Sequence, residues 1–237
     1  LTTSVGAVSR KMNTQVSGIP VVLYNAAAYQ VADMVEIIID SAKPIKGVKV
    51  YDENGRKVKS QMVSAEGNKA KVLISANVPA MGYVVYDVCP SYGKAKALSV
   101  DANTLENSVY KLTLDANGDI CSLIDKRNGK QLVADGKAFR LALFTSNMST
   151  AWPAWEIMRG EIEKSPQSIP GAKITMVENG ELRKTLKVER AFGAGNSTIV
   201  QYISLNEGGQ ADRVDVYNEV DWKETNSLLK VEFPMSY

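Results

Sequence analysis

The stretch Tyr110-Lys-Leu-Thr-Leu-Asp-Ala-Asn-Gly-Asp-Ile-Cys-Ser-Leu-Ile124 contains the pattern on which the fold depends. Tyr110, Leu112 and Leu114 alternate with polar residues, which is the period of a half-buried β-strand. Asn117-Gly118 follows them, and Asn-Gly supplies the positive φ values of a type I′ hairpin turn. The stretch therefore predicts two antiparallel strands joined by a tight turn.

The same two signals recur along the chain. Asn-Gly occurs between alternating flanks at Asn54-Gly55, Asn117-Gly118, Asn128-Gly129 and Asn179-Gly180. Short runs rich in Val, Ile and Tyr lie at 21–24, 34–39, 47–51, 57–63, 70–74 and 83–88, and longer alternating runs lie at 182–188, 199–205 and 214–222. We therefore expect an all-β chain, with a small antiparallel β-sandwich followed by part of a larger sandwich with longer strands.

The N-terminal residues have a different period. Leu1, Val5, Val8, Met12 and Val16 are spaced three to four apart, which predicts a helix over 1–17, and Gly18 and Pro20 would end it. A polar stretch at 99–107 suits a domain junction. The expected organisation is a short helix within 1–18, a small sandwich over 19–101 and the start of a larger sandwich over 102–237.

Composition excludes several classes of function. The chain has 237 residues, a net charge of +2 and 45% hydrophobic residues, which are the values of an ordinary globular protein and not of a disordered chain. The net charge is too small to suggest a nucleic-acid partner. No apolar run approaches the roughly 18 residues that span a bilayer, and the N-terminus lacks a signal-peptide layout, so no membrane partner is expected. Cytoplasm and periplasm both stay open.

The absence of histidine removes further chemistry. Without an imidazole the chain cannot build a Ser-His-Asp or Cys-His nucleophile, or a histidine-ligated zinc or iron site. Cys89 and Cys121 lie in apolar stretches, which favours buried thiols over a disulfide. The chain begins with Leu1 and closes just after a strand-like run, so we expect it to be a piece of a longer protein.

The local cluster best suited to binding is Ala151-Trp152-Pro153-Ala154-Trp155-Glu156, which holds two of the three tryptophans. Indole faces cover the C–H patches of a sugar ring while a carboxylate bonds its hydroxyl groups. The alternative interpretation is a loop that two buried indoles pin to the sandwich. Both interpretations stay open at the level of sequence.

The remaining carboxylates do not form a recognisable catalytic or metal site. Asp115, Asp119 and Asp125 surround a predicted turn, and Glu161 with Glu163 suits one exposed strand or loop face. The segment Asp115-Ala-Asn-Gly-Asp119 superficially resembles a calcium-binding EF-hand loop. Such a loop needs a glycine at its position six and a bidentate Glu at its position twelve, and this segment has neither. Asp212, Asp215, Glu219 and Asp221 make an acidic run, of which Asp215, Glu219 and Asp221 form the polar side of a half-exposed strand. Phosphate-binding glycine loops and Cys-x-x-Cys pairs do not occur in the sequence.

Five segments, in consistent order, resemble the C-terminal half of glycoside hydrolase family 38, the α-mannosidases. They are Val21-Val-Leu-Tyr-Asn25, residues 107–126, residues 144–157 with Trp152-Pro-Ala-Trp155-Glu156, Asp212-Arg-Val-Asp-Val-Tyr-Asn-Glu-Val-Asp-Trp222 and Leu228-Leu-Lys-Val-Glu-Phe-Pro234. The third segment is similar to the Trp-Asp-Ala-Trp-Asp run of the bacterial members. The resemblance extends over the whole chain.

This resemblance implies a parent that is a retaining exo-α-mannosidase. Its zinc, its zinc ligands and its nucleophilic Asp would belong to an N-terminal α/β barrel upstream of this chain, which agrees with the missing histidine. No catalytic residue, metal ligand or cofactor is then expected here. The expected partners are the barrel and helical domain of the same protein, together with the carbohydrate substrate. Residues 1–18 would end that helical domain, and a mutarotase-like large sandwich would begin at residue 102.

The resemblance also assigns candidate substrate-binding residues. The segment around Trp155 would line one wall of the sugar site. Pro153 stands where the family usually has Asp, so position 153 is not carried over, and Glu156 replaces an Asp. Trp152, Trp155 and Glu156 are the residues carried over.

Three functions follow as hypotheses of different classes. The first is a non-catalytic β-sandwich part of a zinc-dependent α-mannosidase that supports the active-site cleft. The second is a stand-alone carbohydrate-binding module that uses the two tryptophans and Glu156. The third is a pair of structural, adhesin-like β domains.

Overall fold

A computed structural model describes residues 2–92, 103–152 and 155–236. The elements are mostly strands, which pair in antiparallel sheets. The chain divides into two compact units, which we describe separately. The first comprises Leu1–Ala97, Gly180–Arg183 and Glu207–Gln210, and the second comprises Leu98–Asn179, Lys184–Asn206 and Ala211–Tyr237. The predicted all-β class with a short N-terminal helix is confirmed, whereas the predicted domain bounds at 18 and 101 stay predictions.

The first unit is a small β-sandwich. Its elements are helix α1 (Thr2–Ser9), strands β1 (Ile19–Asn25), β2 (Val31–Asp40), β3 (Gly47–Tyr51), β4 (Lys57–Val58), β5 (Ser60–Glu66), β6 (Lys69–Val78) and β7 (Gly82–Ser91), and a 3₁₀ turn at Gly208–Gln210. The strands form two sheets, in the orders β1-β7-β3-β4 and β2-β6-β5. Alternate side chains of both sheets, such as Val72 and Ile74 of β6 and Val88 of β7, are fully buried in one shared core.

Helix α1 is shorter than the sequence pattern predicts. It ends at Ser9, and the backbone N–H groups of Ser17 and Gly18 instead donate to the Asp87 carboxylate at 3.2 and 2.8 Å. Two of the predicted stripe residues, Val5 and Val8, remain 39% and 53% exposed. A short helix rich in Ser, Thr, Val and Gly needs a packed apolar face to extend, and exposed stripe residues provide none.

Gln61 of β5 organises a part of the first unit that comes from distant sequence. Its Oε1 accepts hydrogen bonds from the backbone N–H groups of Leu182 and Arg183 at 3.0 and 2.8 Å, and its Nε2 donates to the Arg183 carbonyl at 2.9 Å. The side chain is only 8% exposed. Gly180 allows this close packing, because a Cβ at that position would collide with the Gln61 carboxamide.

The second unit contains three sheets. Its elements are β8 (Thr104–Glu106), β9 (Tyr110–Leu114), β10 (Ile120–Asp125), β11 (Lys130–Gln131), β12 (Arg140–Phe144), α2 (Arg159–Ile162), β13 (Gln167–Ser168), β14 (Lys173–Asn179), β15 (Arg183–Phe192), β16 (Ser197–Asn206), β17 (Val214–Asp221) and β18 (Leu228–Glu232). The strand orders are β11-β10-β9-β8, β13-β12-β18 and β14-β15-β16-β17.

Two buried clusters hold the second unit together. In the larger one, Leu112 and Leu114 of β9 pack with Leu186 of β15 and Leu205 of β16, so two sheets share one core. In the smaller one, Leu141 and Leu143 of β12 pack with residues such as Ile199 of β16. The alternation seen in the sequence around Tyr110 thus produces the sheet and sandwich interior that it predicts.

The turns and strand lengths differ in detail from the sequence predictions. Outside glycine, positive φ among the described residues occurs at Met81, Asn196 and Asn226, so the predicted type I′ turns are wrong. At Asn54-Gly55 and Asn117-Gly118 only the glycine is left-handed, with φ of 73° and 75°, as in three-residue hairpin loops that end in a left-handed glycine. The strands of the first unit are also as long as those of the second, since β2, β6 and β7 have 10 residues each.

Both cysteines are free thiols. Cys89 and Cys121 are half-buried rather than fully buried, and partial burial raises the pKa of each thiol. Neither helix in the described residues has the length and apolar character of a membrane-spanning segment.

Candidate functional site

Trp152 and Trp155 form an exposed aromatic pair on the loop between β12 and α2. Their ring centroids are 5.8 Å apart and the rings are inclined by 24°, which is a stacked arrangement. The backbone N–H groups of Trp155 and Glu156 both donate to the Trp152 carbonyl at 2.9 Å, which closes the loop into a turn. The side chains are 59% and 84% exposed. The expectation that buried indoles pin this loop is therefore wrong.

Glu156 lies on the same turn, and Ser149 holds its carboxylate. Ser149 Oγ donates to Glu156 Oε2 at 2.7 Å and accepts the backbone N–H of Trp152 at 3.0 Å. One serine hydroxyl thus joins the acid to the aromatic pair. The structure brings together the three residues that the sequence singled out, with two indole faces and one carboxylate accessible to a ligand. Pro153 and Ala154 lie outside the described residues.

The other carboxylates fall into structural roles, with one exception. Asp115 Oδ1 accepts the backbone N–H groups of Asn117 and Asp119 at 2.8 and 3.0 Å, which is the turn role expected of it. Asp125 binds the Arg127 guanidinium at 2.6 Å. Glu161 and Glu163 pair with Lys164 and Arg159, although they lie on and just after helix α2, so the predicted strand or loop face is wrong.

The exception is Asp119, whose expected turn or solvent-exposed role is wrong because its carboxylate pairs with a distant residue of β15 inside the unit. Its carboxylate accepts a hydrogen bond from Arg190 Nη2 at 2.9 Å, and the two residues are 6% and 4% exposed. Arg190 Nε also donates to the Asn117 carbonyl at 2.7 Å, and Nη1 donates to Gln201 Oε1. Each of the three guanidinium nitrogens therefore donates a hydrogen bond within the unit.

Burial sets the electrostatics of this pair. It raises the pKa of Asp119 to about 6, although the neighbouring positive charge of Arg190 opposes the shift. Burial also lowers the pKa of Arg190. Both shifts have the same cause, which is that taking a charge out of water costs free energy that the partner only partly returns.

Sequence reasoning missed Arg190 and Gln201, although a signal for both existed. Each occupies an inward position flanked by apolar inward residues, between Val188 and Phe192 on β15 and between Ile199 and Ile203 on β16. A charged residue at such a position requires a buried partner. Searching the neighbouring hairpins for an acid would have led to Asp119.

Glu224 is a further structural carboxylate that the sequence reasoning missed. Its carboxylate accepts the backbone N–H of Gly195 at 3.0 Å and the Ser197 hydroxyl at 2.8 Å, and these bonds lower its pKa. It therefore clamps the turn between β15 and β16. The clamp borders an open polar pocket of about 720 Å³ whose wall includes Thr145, the residue that follows β12 and begins the tryptophan loop.

The acidic run on β17 has the geometry that its spacing predicts. Asp215 and Glu219 pair across to Ser204 and Val200 of β16, whereas Val216 and Val220 pair with Ile203 and Ile199. Acids and apolar residues therefore occupy opposite faces. Within residues 2–92, 103–152 and 155–236, no group of three His, Cys, Asp or Glu side chains is close enough to hold a metal ion.

Comparisons with known proteins agree with this architecture. Human alpha-mannosidase 2C1 is 26% identical over 174 residues, which are 70% of this chain and 16% of that protein. Mouse alpha-mannosidase 2C1 is 27% identical over 132 residues, or 55% of this chain and 12% of that protein. The chain thus spans less than a fifth of either relative's length. Residues 105–237, more than half of the chain, match the family described as glycosyl hydrolases family 38 C-terminal domain, and the chain belongs to that family.

Proposed function

We propose that this chain is the non-catalytic β-sandwich part of a retaining, zinc-dependent glycoside hydrolase that acts on terminal α-mannosides. In this proposal the loop that carries Trp152, Trp155 and Glu156 forms one wall of the sugar site. Membership of the family and the names of the two relatives support the substrate class.

The exposed tryptophan pair is the observation that carries the proposal. Indoles that serve only the fold are normally buried, whereas Trp155 exposes 84% of its surface to solvent. Stacked indoles offer a flat apolar face to the C–H groups of a pyranose. Glu156, held by Ser149 beside them, offers an acceptor for sugar hydroxyl groups.

The catalytic groups are assigned to another part of the protein. Retaining glycoside hydrolysis uses two carboxyl groups about 5–5.5 Å apart on either side of the scissile bond. On the tryptophan loop the carboxylate beside the indoles is Glu156, and the chain has no histidine for a catalytic zinc site. The residues present therefore do not fit such a site, and the chain contributes a binding surface rather than a proton transfer.

Activity assays on the 237-residue chain test the first half of the proposal. With an aryl α-mannoside as substrate and zinc added, we expect no turnover and no stoichiometric zinc binding, measured by absorbance and by metal analysis after dialysis. Turnover that depends on bound zinc would overturn the assignment of catalysis to another part.

Substitutions in the longer protein, which contains both this chain and the catalytic domain, test the second half of the proposal, the sugar contact of the tryptophan loop. Trp155→Ala removes one indole of the pair and is expected to lower kcat/KM for an aryl α-mannoside about tenfold, since roughly 1.4 kcal/mol of lost contact corresponds to a factor of ten. Tyr29→Ala is the matched control, because Tyr29 is an exposed aromatic residue of the first unit. Equal kcat/KM for both variants and the wild type would contradict the proposed sugar contact.

The same tryptophan pair favours a stand-alone carbohydrate-binding module as the second candidate. Such a module binds sugar without a catalytic domain. Titration of the isolated chain with methyl α-mannoside, followed by tryptophan fluorescence, separates the two candidates. Saturable binding that Trp155→Ala abolishes would establish a stand-alone module. No binding of sugar by the isolated chain, together with the lower kcat/KM expected for Trp155→Ala in the whole protein, would support a non-catalytic part of a glycoside hydrolase.

A further inference from the structure

Ser149 lies at the centre of the hydrogen bonds that shape the tryptophan loop. Its Oγ donates to Glu156 Oε2 at 2.7 Å and accepts the backbone N–H groups of Trp152 and Ala151 at 3.0 and 3.3 Å. The Trp152 carbonyl in turn accepts the N–H groups of Trp155 and Glu156 at 2.9 Å. A serine side chain therefore closes the first part of the loop, and a backbone turn closes the second.

The direction of the bond between Ser149 and Glu156 follows from the protons available. A hydroxyl group carries one proton and two lone pairs, whereas an ionised carboxylate can only accept. Two backbone N–H groups already donate to Ser149 Oγ, so the single hydroxyl proton is given to Glu156. Such a charge-assisted bond is about twice as strong as a bond between neutral groups. The serine therefore holds the acid firmly.

This bond restricts the side chain of an exposed acid. Glu156 is exposed, and a glutamate side chain has three rotatable bonds, so a ligand that bound it would otherwise have to immobilise it. Immobilising such a side chain lowers affinity roughly two- to tenfold. Ser149 fixes Oε2 of the carboxylate before a ligand arrives, and the bond leaves Oε1 able to accept a second donor such as a sugar hydroxyl group.

We propose that Ser149 is a positioning residue of the sugar site, which holds the Glu156 carboxylate beside the indole pair in the orientation that accepts a sugar hydroxyl group. The inference rests on the proposed function, since it assumes that the tryptophan loop contacts the sugar. It adds that Ser149 acts through Glu156 and does not touch the sugar itself. Thr150, the next residue, is an exposed hydroxyl on the same loop and serves as the matched control.

A double-mutant cycle in the longer protein tests this inference. We expect Ser149→Ala to lower kcat/KM for an aryl α-mannoside about fivefold, mainly through KM, because the bond is already present before the sugar binds. In a Glu156→Ala background the same substitution should have little further effect, since the serine acts through the acid. Ser149→Thr keeps the hydroxyl group and should retain wild-type kcat/KM, as should Thr150→Ala.

Near-UV circular dichroism of the 237-residue chain separates positioning from a loss of loop structure. The backbone bonds to the Trp152 carbonyl do not involve the serine hydroxyl, so the stacked indoles should stay in place in Ser149→Ala and give the wild-type spectrum. An indole spectrum that changes as much as that of Trp155→Ala would overturn the inference, because Ser149 would then support the loop as a whole. An equal loss of kcat/KM with and without Glu156 would overturn it as well.

The same variants distinguish failure of this inference from failure of the proposed sugar contact. If Trp155→Ala and Glu156→Ala lower kcat/KM but Ser149→Ala does not, the loop contacts the sugar and Ser149 has no positioning role. If all three variants keep the wild-type kcat/KM, the sugar contact of the loop fails, and the role of Ser149 fails with it.

Discussion

Two hairpin turns, one in each unit, share a sequence pattern and a conformation but differ in what depends on them. Asp52-Glu-Asn-Gly55-Arg56 lies in the first unit and Asp115-Ala-Asn-Gly118-Asp119 in the second. In both, the glycine N–H donates to the aspartate carbonyl at 3.0 Å, and the aspartate N–H donates to the carbonyl four residues on at 2.9 Å. The aspartate Oδ1 also accepts two backbone N–H groups in each turn.

The surroundings of the two turns are different. A Cβ at Gly55 would meet nothing within 4 Å, whereas a Cβ at Gly118 would collide with Val188 and lie 2.9 Å from Arg190 Nη2. Arg56 is exposed, whereas Asp119 is buried against Arg190. Local sequence thus determines the conformation of the turn, and tertiary packing determines how much of the unit's stability depends on it.

The residue after the glycine should show the largest difference. Asp119→Ala leaves the Arg190 guanidinium buried without its carboxylate partner, and we expect the free energy of unfolding of the second unit to fall by about 3–5 kcal/mol. Arg56→Ala, at the equivalent position, should change the free energy of unfolding by less than about 0.5 kcal/mol. Urea unfolding followed by circular dichroism measures both, with amide hydrogen exchange assigning the loss to one unit.

Replacing both charges separates the ion pair from simple packing. Asp119→Leu combined with Arg190→Met should recover most of the stability lost in Asp119→Ala, since a buried ion pair contributes little more than well-packed apolar residues. A double variant as unstable as Asp119→Ala would show that the hydrogen bonds of Arg190 to Asn117 and Gln201 matter more than its charge.

The glycines should differ by a smaller amount. Gly55→Ala forces alanine into a left-handed conformation at φ 73°, which costs about 1–2 kcal/mol. Gly118→Ala incurs the same backbone cost and also overpacks the region around Val188, so we expect a total loss of about 3 kcal/mol. Thermal or urea unfolding of the two variants checks the difference, and equal losses would mean that Val188 and Arg190 move aside freely.

The aspartates that begin the turns should behave alike. Asp52→Ala and Asp115→Ala each remove the acceptor of two backbone N–H groups, and each should lower the free energy of unfolding by about 1 kcal/mol. The two losses, measured by urea unfolding of the separate variants, should agree to within about 0.5 kcal/mol. A much larger loss for Asp115→Ala would indicate that its turn also depends on the buried pair.

The smallest expected difference between the two turns is in how the stability of their units depends on pH. Because burial raises the pKa of Asp119 to about 6, above its value in the unfolded chain, the folded protein holds the proton more tightly. The resulting stability is present below about pH 4 and is lost as pH rises toward 6. Hydrogen exchange of the second unit across this range should show the decrease, and the Asp119→Leu, Arg190→Met variant should not. If the wild type lost no more stability over this range than the Asp119→Leu, Arg190→Met variant, the raised pKa would be contradicted.

Alternation and turn residues were enough to predict many of the strands, although β12 and β14 were not predicted. β3 (Gly47–Tyr51) has the bounds that its apolar run predicts, and the runs around Met34 and Tyr83 lie within the longer strands β2 and β7. Asn-Gly correctly marked the loops at 54–55 and 117–118 but not their type, because loop length, which selects the turn type, depends on strand pairing.

The candidate site and the buried ion pair could not be predicted fully from sequence, because they depend on how separate strands and loops pack together. Trp152, Trp155 and Glu156 are close in sequence, so their proximity could be predicted, whereas their exposure depends on how the loop leaves β12. Asp119 and Arg190 are 71 residues apart and meet only after β15 packs on the β9–β10 hairpin. Their pairing is a property of the sandwich rather than of either segment.

The Gln61 hydrogen bonds have a consequence for dividing this chain into expressible pieces. The first unit is not continuous in sequence, since it includes Gly180–Arg183 and Glu207–Gln210. A fragment that stops at residue 97 would retain the Gln61 carboxamide in its buried position but lose Leu182 and Arg183, which supply three of its hydrogen bonds. A soluble version of the small sandwich therefore requires the distant turn to be supplied through a linker, or Gln61 to be redesigned as part of the cut.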